Sequence, residues 1–384
     1  MTERSPTGVP AVPHRICARC VMDTTVPEIE FYADGRCSCC RDYDENRTGE
    51  VFANADGSER IERLVDEIRR RGKGAPYDCL IGLSGGVDST YVAYLVAKRY
   101  GLRALAVHLD NGWNTELAVD NVERTVKTLG IDLTTHVLDW REFRDIQVAF
   151  LRSGISNIEI PTDHAIWAVL LRTAAKMGIP YIVAGNNVVT ESIMPESWLY
   201  GSKDSRLIRA IHRRFGTVPM KTYPHLTTPD YAYYLLLRGI RWVPILNYVP
   251  YVKSEAKQLL MQELGWRDYG GKHFESMFTR FFHADYLPAR FGYDLRKSYF
   301  SALVCSGQVT RADALAELAQ PPAPLQMIQQ DRAYVIKKLG LSDAEFQAIL
   351  SEPNRTYRDY PNTDGLWRKL NWLVRWARAR ITRV

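Results

Sequence analysis

Ser84-Gly85-Gly86-Val87-Asp88-Ser89-Thr90 is the stretch whose residue types most directly imply chemistry. Paired glycines let the backbone turn with no Cβ in the way, so successive amide N–H groups can face an anion at the positive end of a following helix. Ser84, Ser89 and Thr90 add hydroxyl donors. Asp88 is the odd member: a carboxylate beside a phosphate is repulsive unless a cation lies between them, which makes Mg²⁺ ligation its natural role. A second constellation sets two Cys-x-x-Cys hooks, Cys17-Ala-Arg-Cys20 and Cys37-Ser-Cys-Cys40, on either side of an Asp34-Gly35 turn. Four thiolates spaced this way can surround one Zn²⁺ and fold a segment too short to hold itself by apolar burial. Cys39 is spare and can replace either ligand of the second hook. A metal with four protein ligands has no open position, so its expected role is scaffolding.

These residues need elements to position them. The apolar run Cys79 to Leu83 reads as a buried parallel strand, and Tyr91, Leu95 and Val96 carry a helical pattern beyond the glycines. Residues 58–72 form an amphipathic helix through Ile61, Leu64, Val65 and Ile68. After the glycine turn the pattern predicts strands over 104–109, 133–138 and 179–184, and helices over 115–129, 140–151 and 162–177. Apolar strands alternating with helices imply an α/β fold with a doubly wound parallel sheet, its ligand at the carboxyl ends of the strands. The residues just past those ends are Ser84 to Ser89, Asp110-Asn111 and Gly185-Asn186-Asn187.

At 384 residues and 46% hydrophobic, the chain can bury a sizeable core and is long enough for about two or three domains. Its net charge of +6 suits anionic substrates, and is too small to demand nucleic acid. No stretch approaches the roughly 20 apolar residues of a membrane span. Residues 1–13 lack an apolar signal core and read as a disordered lead in a cytoplasmic protein, where disulfides compete poorly with a metal for the clustered thiols. The expected division is 14–50 for the cysteine segment, 51–200 for the nucleotide domain, 201–320 for a substrate-binding part and 321–384 for a helical tail.

The loop at residue 84 is neither Gly-x-x-x-x-Gly-Lys-Ser/Thr nor Gly-x-Gly-x-x-Gly. It resembles the pyrophosphate (PP) loop of the N-type ATP pyrophosphatases, whose members make GMP, NAD, asparagine and thiolated tRNA. That resemblance implies an adenine nucleotide α-hydrolase-like sheet, with the β- and γ-phosphates of ATP on residues 84–90. A substrate oxygen attacks the α-phosphate, giving an adenylated intermediate and pyrophosphate. The ends of the second and fourth strands flank the adenosine in this superfamily, which makes His108, Asp110 and Gly185 candidates there. His108 equally fits a satisfied residue at a strand end.

From residue 185 onward the resemblance narrows. Gly185-Asn-Asn-Val-Val-Thr-Glu-Ser-Ile-Met-Pro195, Arg267-Asp-Tyr-Gly-Gly-Lys-His-Phe-Glu-Ser276, Phe278-Thr-Arg-Phe-Phe282, Phe291-Gly-Tyr-Asp-Leu-Arg-Lys297 and Ser306-Gly-Gln-Val-Thr-Arg311 resemble the N-acetyl sugar amidotransferase family. Together with the hooks and the phosphate loop, this covers roughly residues 14–318. The family serves surface-polysaccharide and nonulosonic-acid synthesis, adenylating a sugar's acetamido oxygen and replacing it with ammonia to give an acetamidino sugar. Ammonia comes from a separate glutaminase, usually with a cyclase-like channel subunit. This chain has no Cys after Met1 and no cysteine nucleophile with a matching His-Glu pair, which agrees with that division of labour.

Attack by an amide oxygen builds charge on the phosphates that fixed cations must neutralise, and Lys272, Arg280, Arg296 and Lys297 are the candidates. Glu191 and Glu275 can orient a sugar hydroxyl, position ammonia or hold a second Mg²⁺; Asn186 and Asn187 are expected to meet substrate. Phe281-Phe282-His283, Leu295 and Ser298-Tyr299-Phe300-Ser301 depart from the family pattern, which leaves ATP activation untouched and the sugar open. Two other functions fit parts of the chain: tRNA thiolation, for which only Cys79 and Cys305 lie outside the hooks, and a non-catalytic zinc-ribbon interaction module. The last stretch, Leu366 to Val384, carries an apolar helical stripe with arginines mostly elsewhere, as for docking on its own protein, an oligomer contact, a membrane surface or RNA.

Overall fold

The computed structural model describes residues 13–52 and 55–369. Residues 1–12 of the expected lead, and 370–384 of the amphipathic stripe, lie outside the described residues. Five strands form one parallel sheet: β1 Cys79–Gly82, β2 Ala104–Asp110, β3 Asp132–Val137, β4 Tyr181–Ala184 and β5 Arg241–Pro244, in the order β3-β2-β1-β4-β5. The doubly wound parallel sheet expected from the strand and helix pattern is the fold observed.

Alternation along β1 explains its central place. Cys79 and Ile81 face Ile61, Leu64, Val65 and Ile68 of helix α1 (Ala55–Arg71), while Leu80 faces the opposite layer with Ala168 and Leu171. Helix α2 (Val87–Tyr94) follows β1 and helix α3 (Glu116–Leu129) follows β2. Helices α4 (Trp140–Ser153) and α5 (Ile160–Met177) lie between β3 and β4. From β1 the chain winds outward to β2 and β3; β4 and β5 extend the sheet the other way. The crevice between the ends of β1 and β4 is therefore the topological switch point, where such sheets bind ligands. β5 has no counterpart in the sequence expectation: Arg-Trp-Val-Pro is short, with a charge at one end and a proline at the other.

The C-terminal region is helical, as expected, and includes α6 (Arg296–Cys305) and α7 (Leu325–Leu339). The cysteine hooks belong to the same core as these helices: Cys17, Cys20, Cys37 and Cys40 are buried with Met22, Val26 and Tyr43 in a cluster that also holds Phe278, Phe281, Leu295 and Ala302. Polar ties reinforce the junction. Arg311 Nε donates to the carbonyls of Cys17 and Cys20, each at 3.1 Å, and Val21 N donates to Ser301 Oγ at 3.2 Å. Lys297 Nζ lies 2.5 Å from Asp23 Oδ2, and Asp23 is only 2% exposed.

That ion pair gives Lys297 a structural duty in place of the phosphate-neutralising one expected from sequence. Burial pushes the Asp23 carboxyl up, but hydrogen bonds from Lys297, Thr25 and His14 outweigh it and hold the group below the ordinary aspartate range. A depressed carboxylate contributes stability that is present above its unfolded value and lost as pH falls through the folded one. Lys297→Ala strands a buried charge and is expected to cost about 3 kcal/mol. Urea midpoints at neutral pH measure this, and the gap between variant and wild type should close in acid.

Candidate active site

The phosphate loop is set by what glycine permits. Gly85 has φ +83°, and a Cβ there would lie 2.4 Å from the Ala118 carbonyl oxygen in the first turn of α3. Gly86, with φ −72° and ψ 159°, caps α2. A ring of hydroxyls fills the hollow: Gly86 N donates to Ser84 Oγ (3.2 Å), Ser84 N to Ser89 Oγ (3.2 Å), and Ser89 Oγ to the Gly86 carbonyl (3.1 Å). These amides and hydroxyls lie at the N-terminus of α2, where backbone donors and the helix dipole favour negative charge. Val87 N donates to Tyr269 OH at 3.0 Å, and Thr90 Oγ1 is buried with no partner among the described residues.

A segment far along the chain lies across this loop. Trp266 Nε1 donates to the Gly85 carbonyl (2.9 Å), and the fully buried Asn121 of α3 clamps the Arg267 peptide with two bonds of 2.8 Å. The other end is tied by Thr115 N to the Glu275 carbonyl (2.9 Å) and Met277 N to the Trp113 carbonyl (2.9 Å). Between the ties, His273 has φ 63°, alone among the described non-glycine residues in the left-handed region. Such backbone costs of order 1–3 kcal/mol and persists only where neighbours over-determine it. Glu275 Oε1 sits 3.5 Å from His273 Nδ1 and 3.1 Å from where a Cβ on Gly86 would be. Its Oε2 is buried without a partner among the described residues. Burial pushes the Glu275 carboxyl up, but the hydrogen bond and charge of His273 outweigh it and hold the group ionised.

Asp88 lies in the first turn of α2. Tyr251 OH donates to its Oδ1, and Lys253 Nζ stands 3.9 Å from Oδ2. Gly185 allows the end of β4 to approach, since a Cβ there would be 3.1 Å from the Asp88 carbonyl carbon. One turn further, Glu191 Oε1 meets Lys272 Nζ at 3.1 Å, and the same ammonium lies 3.9 Å from the centre of the Tyr299 ring. Burial pulls Lys272 below the ordinary lysine range, with Glu191 holding it back; burial pushes Glu191 up, but Lys272 and His273 outweigh this and keep it ionised.

Two further carboxylates complete the cluster. Glu159 and Asp163 are one helical turn apart at the start of α5, and Thr279 Oγ1 lies 3.1 and 3.0 Å from the two Glu159 oxygens. Burial, then the charge of Asp163, pushes Glu159 up to about 8; burial pushes Asp163 up to about 6. The Tyr299 phenol is raised well above the ordinary range by burial and then by the charges of Glu191, Glu159, Asp163 and Glu275. His283, 5.5 Å from His273 between ring centres, is kept neutral first by burial and then by the charges of His273 and Lys272.

Of the residues expected from sequence, Ser84 to Thr90, Gly185, Glu191, Lys272 and Glu275 come together here. His108 is a satisfied strand-end residue: its Nδ1 bonds the Leu83 carbonyl at 2.8 Å and its Nε2 meets Asn114 Nδ2 at 3.0 Å. With Asp110, Asn114, Val122 and Thr135 it lines a cavity of about 370 Å³ beside α3. Asn187 Oδ1 caps the turn Val188–Glu191 by accepting from Thr190 N (2.9 Å), and Asn186 Oδ1 accepts from Trp242 Nε1 (2.8 Å), so both asparagines are engaged in scaffolding. Arg280 is bidentate to Asp331 at 2.5 and 2.7 Å. Arg296 pairs with Asp294 at 2.8 Å and caps the helix Arg311–Leu318 through the Glu317 and Gln320 carbonyls. Neither is a spare cation. Sequence reasoning missed Glu159, Asp163, Tyr251, Lys253, Tyr269, His273, His283 and Tyr299. Two acids one turn apart inside the apolar run 158–164 were a usable signal for the first pair.

Two metals can be tested against these donors. The sulfurs of Cys17, Cys20, Cys37 and Cys40 all lie within 4.8 Å of one another, with Cys17 to Cys40 at 3.7 Å and Cys20 to Cys37 at 3.6 Å. Tetrahedral zinc with Zn–S of about 2.3 Å needs sulfurs about 3.8 Å apart, so the set fits. Backbone N–H groups of Arg19, Cys20 and Cys37 point at Cys17 Sγ at 3.3 to 3.5 Å, which favours the thiolate. For Mg²⁺, the hard oxygen donors at the loop are the Asp88 carboxylate, which also meets Tyr251 and Lys253, and the unpartnered Oε2 of Glu275, oxygen being the ligand type that ion takes.

Comparison with known proteins agrees with this layout. Residues 60–149 match the family model for NAD synthase, and residues 275–374 match the model for the LPS biosynthesis protein WbpG-like, C-terminal domain. Two separate segments of the chain are thus similar to these two families. A glutamine-hydrolysing GMP synthase of Pyrobaculum aerophilum is 43% identical over 75 residues, which is 20% of this chain and 14% of that protein. An uncharacterised protein of Methanocaldococcus jannaschii is 22% identical over 289 residues, covering 73% of this chain and 86% of its own length. Among solved structures, the NMN synthetase of Francisella tularensis (18% identity, TM-score 0.33) covers 75% of this chain and 98% of its own. The NH3-dependent NAD synthetase of Campylobacter jejuni (16% identity, TM-score 0.28) covers 54% and 84%. Superpositions that loose carry no argument.

Gly85→Ala forces a Cβ into the Ala118 carbonyl and an alanine into positive φ, so a loss of about 2 kcal/mol or more in urea unfolding is expected. ATP binding, measured by calorimetry, should be lost with it. Zinc should be present at about one equivalent per chain by elemental analysis, and Cys37→Ser should fall well below that.

Proposed function

We propose that this chain is an ATP-dependent amidotransferase that adenylates the acetamido oxygen of an N-acetylated, nucleotide-linked sugar and exchanges it for ammonia, releasing AMP and pyrophosphate. One observation carries this: a loop of phosphate-binding geometry at the sheet's switch point is crossed by a strained segment that brings Lys272 and Glu275 to it. The two family matches support an amidating enzyme of the PP-loop kind with a role in surface-polysaccharide synthesis.

On this assignment the amides and hydroxyls of residues 84–90 hold the β- and γ-phosphates. Mg²⁺ would be held by Asp88 and Glu275 and supplies neutralising charge on the triphosphate when bound. Lys253 and Lys272 are the cations left to meet the charge that develops as the acyl oxygen attacks the α-phosphorus and pyrophosphate departs, because Arg280, Arg296 and Lys297 are engaged elsewhere. Ammonia then adds to the activated carbon and AMP leaves with the oxygen. The incoming nitrogen must shed protons, and Glu159 with Asp163 is the pair able to take them.

Ammonia is assigned to a separate glutaminase, delivered with the help of a cyclase-like channel subunit. Among the described cysteines, Cys79 is wholly buried at the start of β1 with its thiol pushed up by burial, and the other six lie at the hooks or beside them. No thiol is therefore placed to attack glutamine or to carry sulfur, which argues against the thiolation alternative.

With ammonium in excess and a panel of nucleotide-linked diacetamido and uronic sugars, AMP should form with one acceptor class and depend on ammonium; release of ADP would overturn the assignment. Asp88→Ala should abolish AMP formation under the same conditions. At fixed free ammonia, the wild-type rate should rise to a plateau as pH passes through about 8, where Glu159 loses its proton. Glu159→Gln should lose that inflection while retaining ATP binding.

A further inference from the structure

Helix α6 connects the cysteine hooks to the floor of the crevice. On its hook side, Lys297 and Ser301 bind Asp23 and Val21, as described above. On its crevice side, Ser298 Oγ donates to the Ile193 carbonyl, and Ser306 Oγ, just past the helix, donates to the Val189 carbonyl at 3.1 Å. These carbonyls flank Glu191, the partner of Lys272, and Tyr299 of the same helix lies under the Lys272 ammonium. The last residue of α6 is Cys305, half-buried, whose sulfur lies 3.9 Å from Cys40 Sγ. The four hook thiols already complete a tetrahedron, so Cys305 is a fifth thiol that the metal does not need.

We propose that Cys305 is an oxidation site, and that a peroxide converts it and Cys40 to a disulfide that opens the metal centre and loosens the Glu191 turn. The sulfurs need to close by about 2 Å to reach bonding distance. Peroxide takes two electrons from the Cys305 sulfur, giving a sulfenic acid and water. The Cys40 thiolate then attacks that sulfur, the S–S bond forms, and hydroxide leaves. Overall one thiol, one thiolate and one H₂O₂ give one disulfide, one water and one hydroxide, and Zn²⁺ is left with three protein ligands. A dithiol reductant restores the starting state. Coupling to catalysis rests on the assignment of Lys272 and Glu191 made above; formation of the bridge does not.

The test uses the full-length zinc-loaded protein and one equivalent of hydrogen peroxide. Peptide mass spectrometry should find a Cys40–Cys305 bridge, a chromogenic chelator should detect released zinc, and dithiothreitol should reverse both. Amide exchange over residues 188–194 should be at least about threefold faster in the oxidised protein. Cys305→Ser should bind zinc as the wild type does and release it at least about tenfold more slowly under peroxide; Cys305→Ala serves if the serine variant does not fold. A bridge through Cys39 or among the four hook cysteines, or equal zinc release from the Cys305 variant, would overturn the site. A Cys40–Cys305 bridge with unchanged exchange at 188–194 would overturn the coupling. None of these readouts needs the sugar acceptor, so their failure is distinct from failure of the proposed reaction.

Discussion

Close approach of main chain to main chain is the constraint on which the crevice depends. At Gly85 the turn passes so near the first turn of α3 that a side chain there would collide with the Ala118 carbonyl, and at Gly185 the end of β4 approaches Asp88 so that a Cβ would lie 3.1 Å from its carbonyl carbon. Removing the Cβ at these two points lets four elements, β1, α2, α3 and β4, meet around a hollow lined by amides. The third layer, residues 266–276, can then lie flat on the loop because Gly86 offers no side chain to Tyr269 and Glu275. An anion bound at the loop would be enclosed by backbone donors below and by Lys272 and Glu275 above, a low-dielectric setting in which each charge counts for more than in water.

The price of that enclosure is a surplus of carboxylates. Glu159, Asp163, Glu191 and Glu275 face a smaller set of cations, and the protein deals with them unequally. Glu191 and Glu275 are kept ionised by Lys272 and His273, whereas at Glu159 and Asp163 burial outweighs what opposes it, the Thr279 hydrogen bond at the first and the charge of His273 at the second. Glu159, pushed up to about 8, thus keeps its proton at neutral pH beside Glu191 and Glu275 held as anions, so one crevice carries carboxyl groups in both states.

How much of this was legible in the chain follows from the range of the interactions. The strands at 79, 104 and 181 announce themselves as apolar runs, and the Ser-Gly-Gly-Val-Asp-Ser turn carries its own geometry, since every residue that shapes it is local. Lys272 and Glu275 were found because they stand in a compact glycine-bearing motif. Arg280 and Arg296 looked like free cations for want of any sign of their partners: Asp331 is 51 residues beyond Arg280, and the carbonyls that Arg296 caps end another helix. Tyr251 and Lys253 are brought to Asp88 only by the sheet's topology, from more than 160 residues away, as the separation of 163 between Tyr251 and Asp88 records. Pairings of that length leave no periodic trace in a single sequence.

The same ion pairs explain how short elements can hold a site in register. Met277–Phe281, the π-helical turn Phe282–Tyr286 and Leu287–Phe291 run on without a break as one helix, at a length where helices are only marginal on their own in water (roughly 12 to 15 residues), so these segments are not held by local propensity alone. They are fixed instead by buried or half-buried charges: Arg280 to Asp331, Arg332 to Asp285, and Arg290 to the Leu151 carbonyl at 3.1 Å. Breaking such a pair strands a charge in the interior, so each behaves as a stiff joint even though its net stabilisation is modest. The cysteine centre is a joint of the same kind at the far end of α6, and the hooks are packed into the C-terminal core because that is where local propensity is weakest. Cations that sequence alone assigns to catalysis thereby hold the frame: Arg296 and Lys297 fix the start of α6, the helix that carries Tyr299 to the Lys272–Glu191 pair.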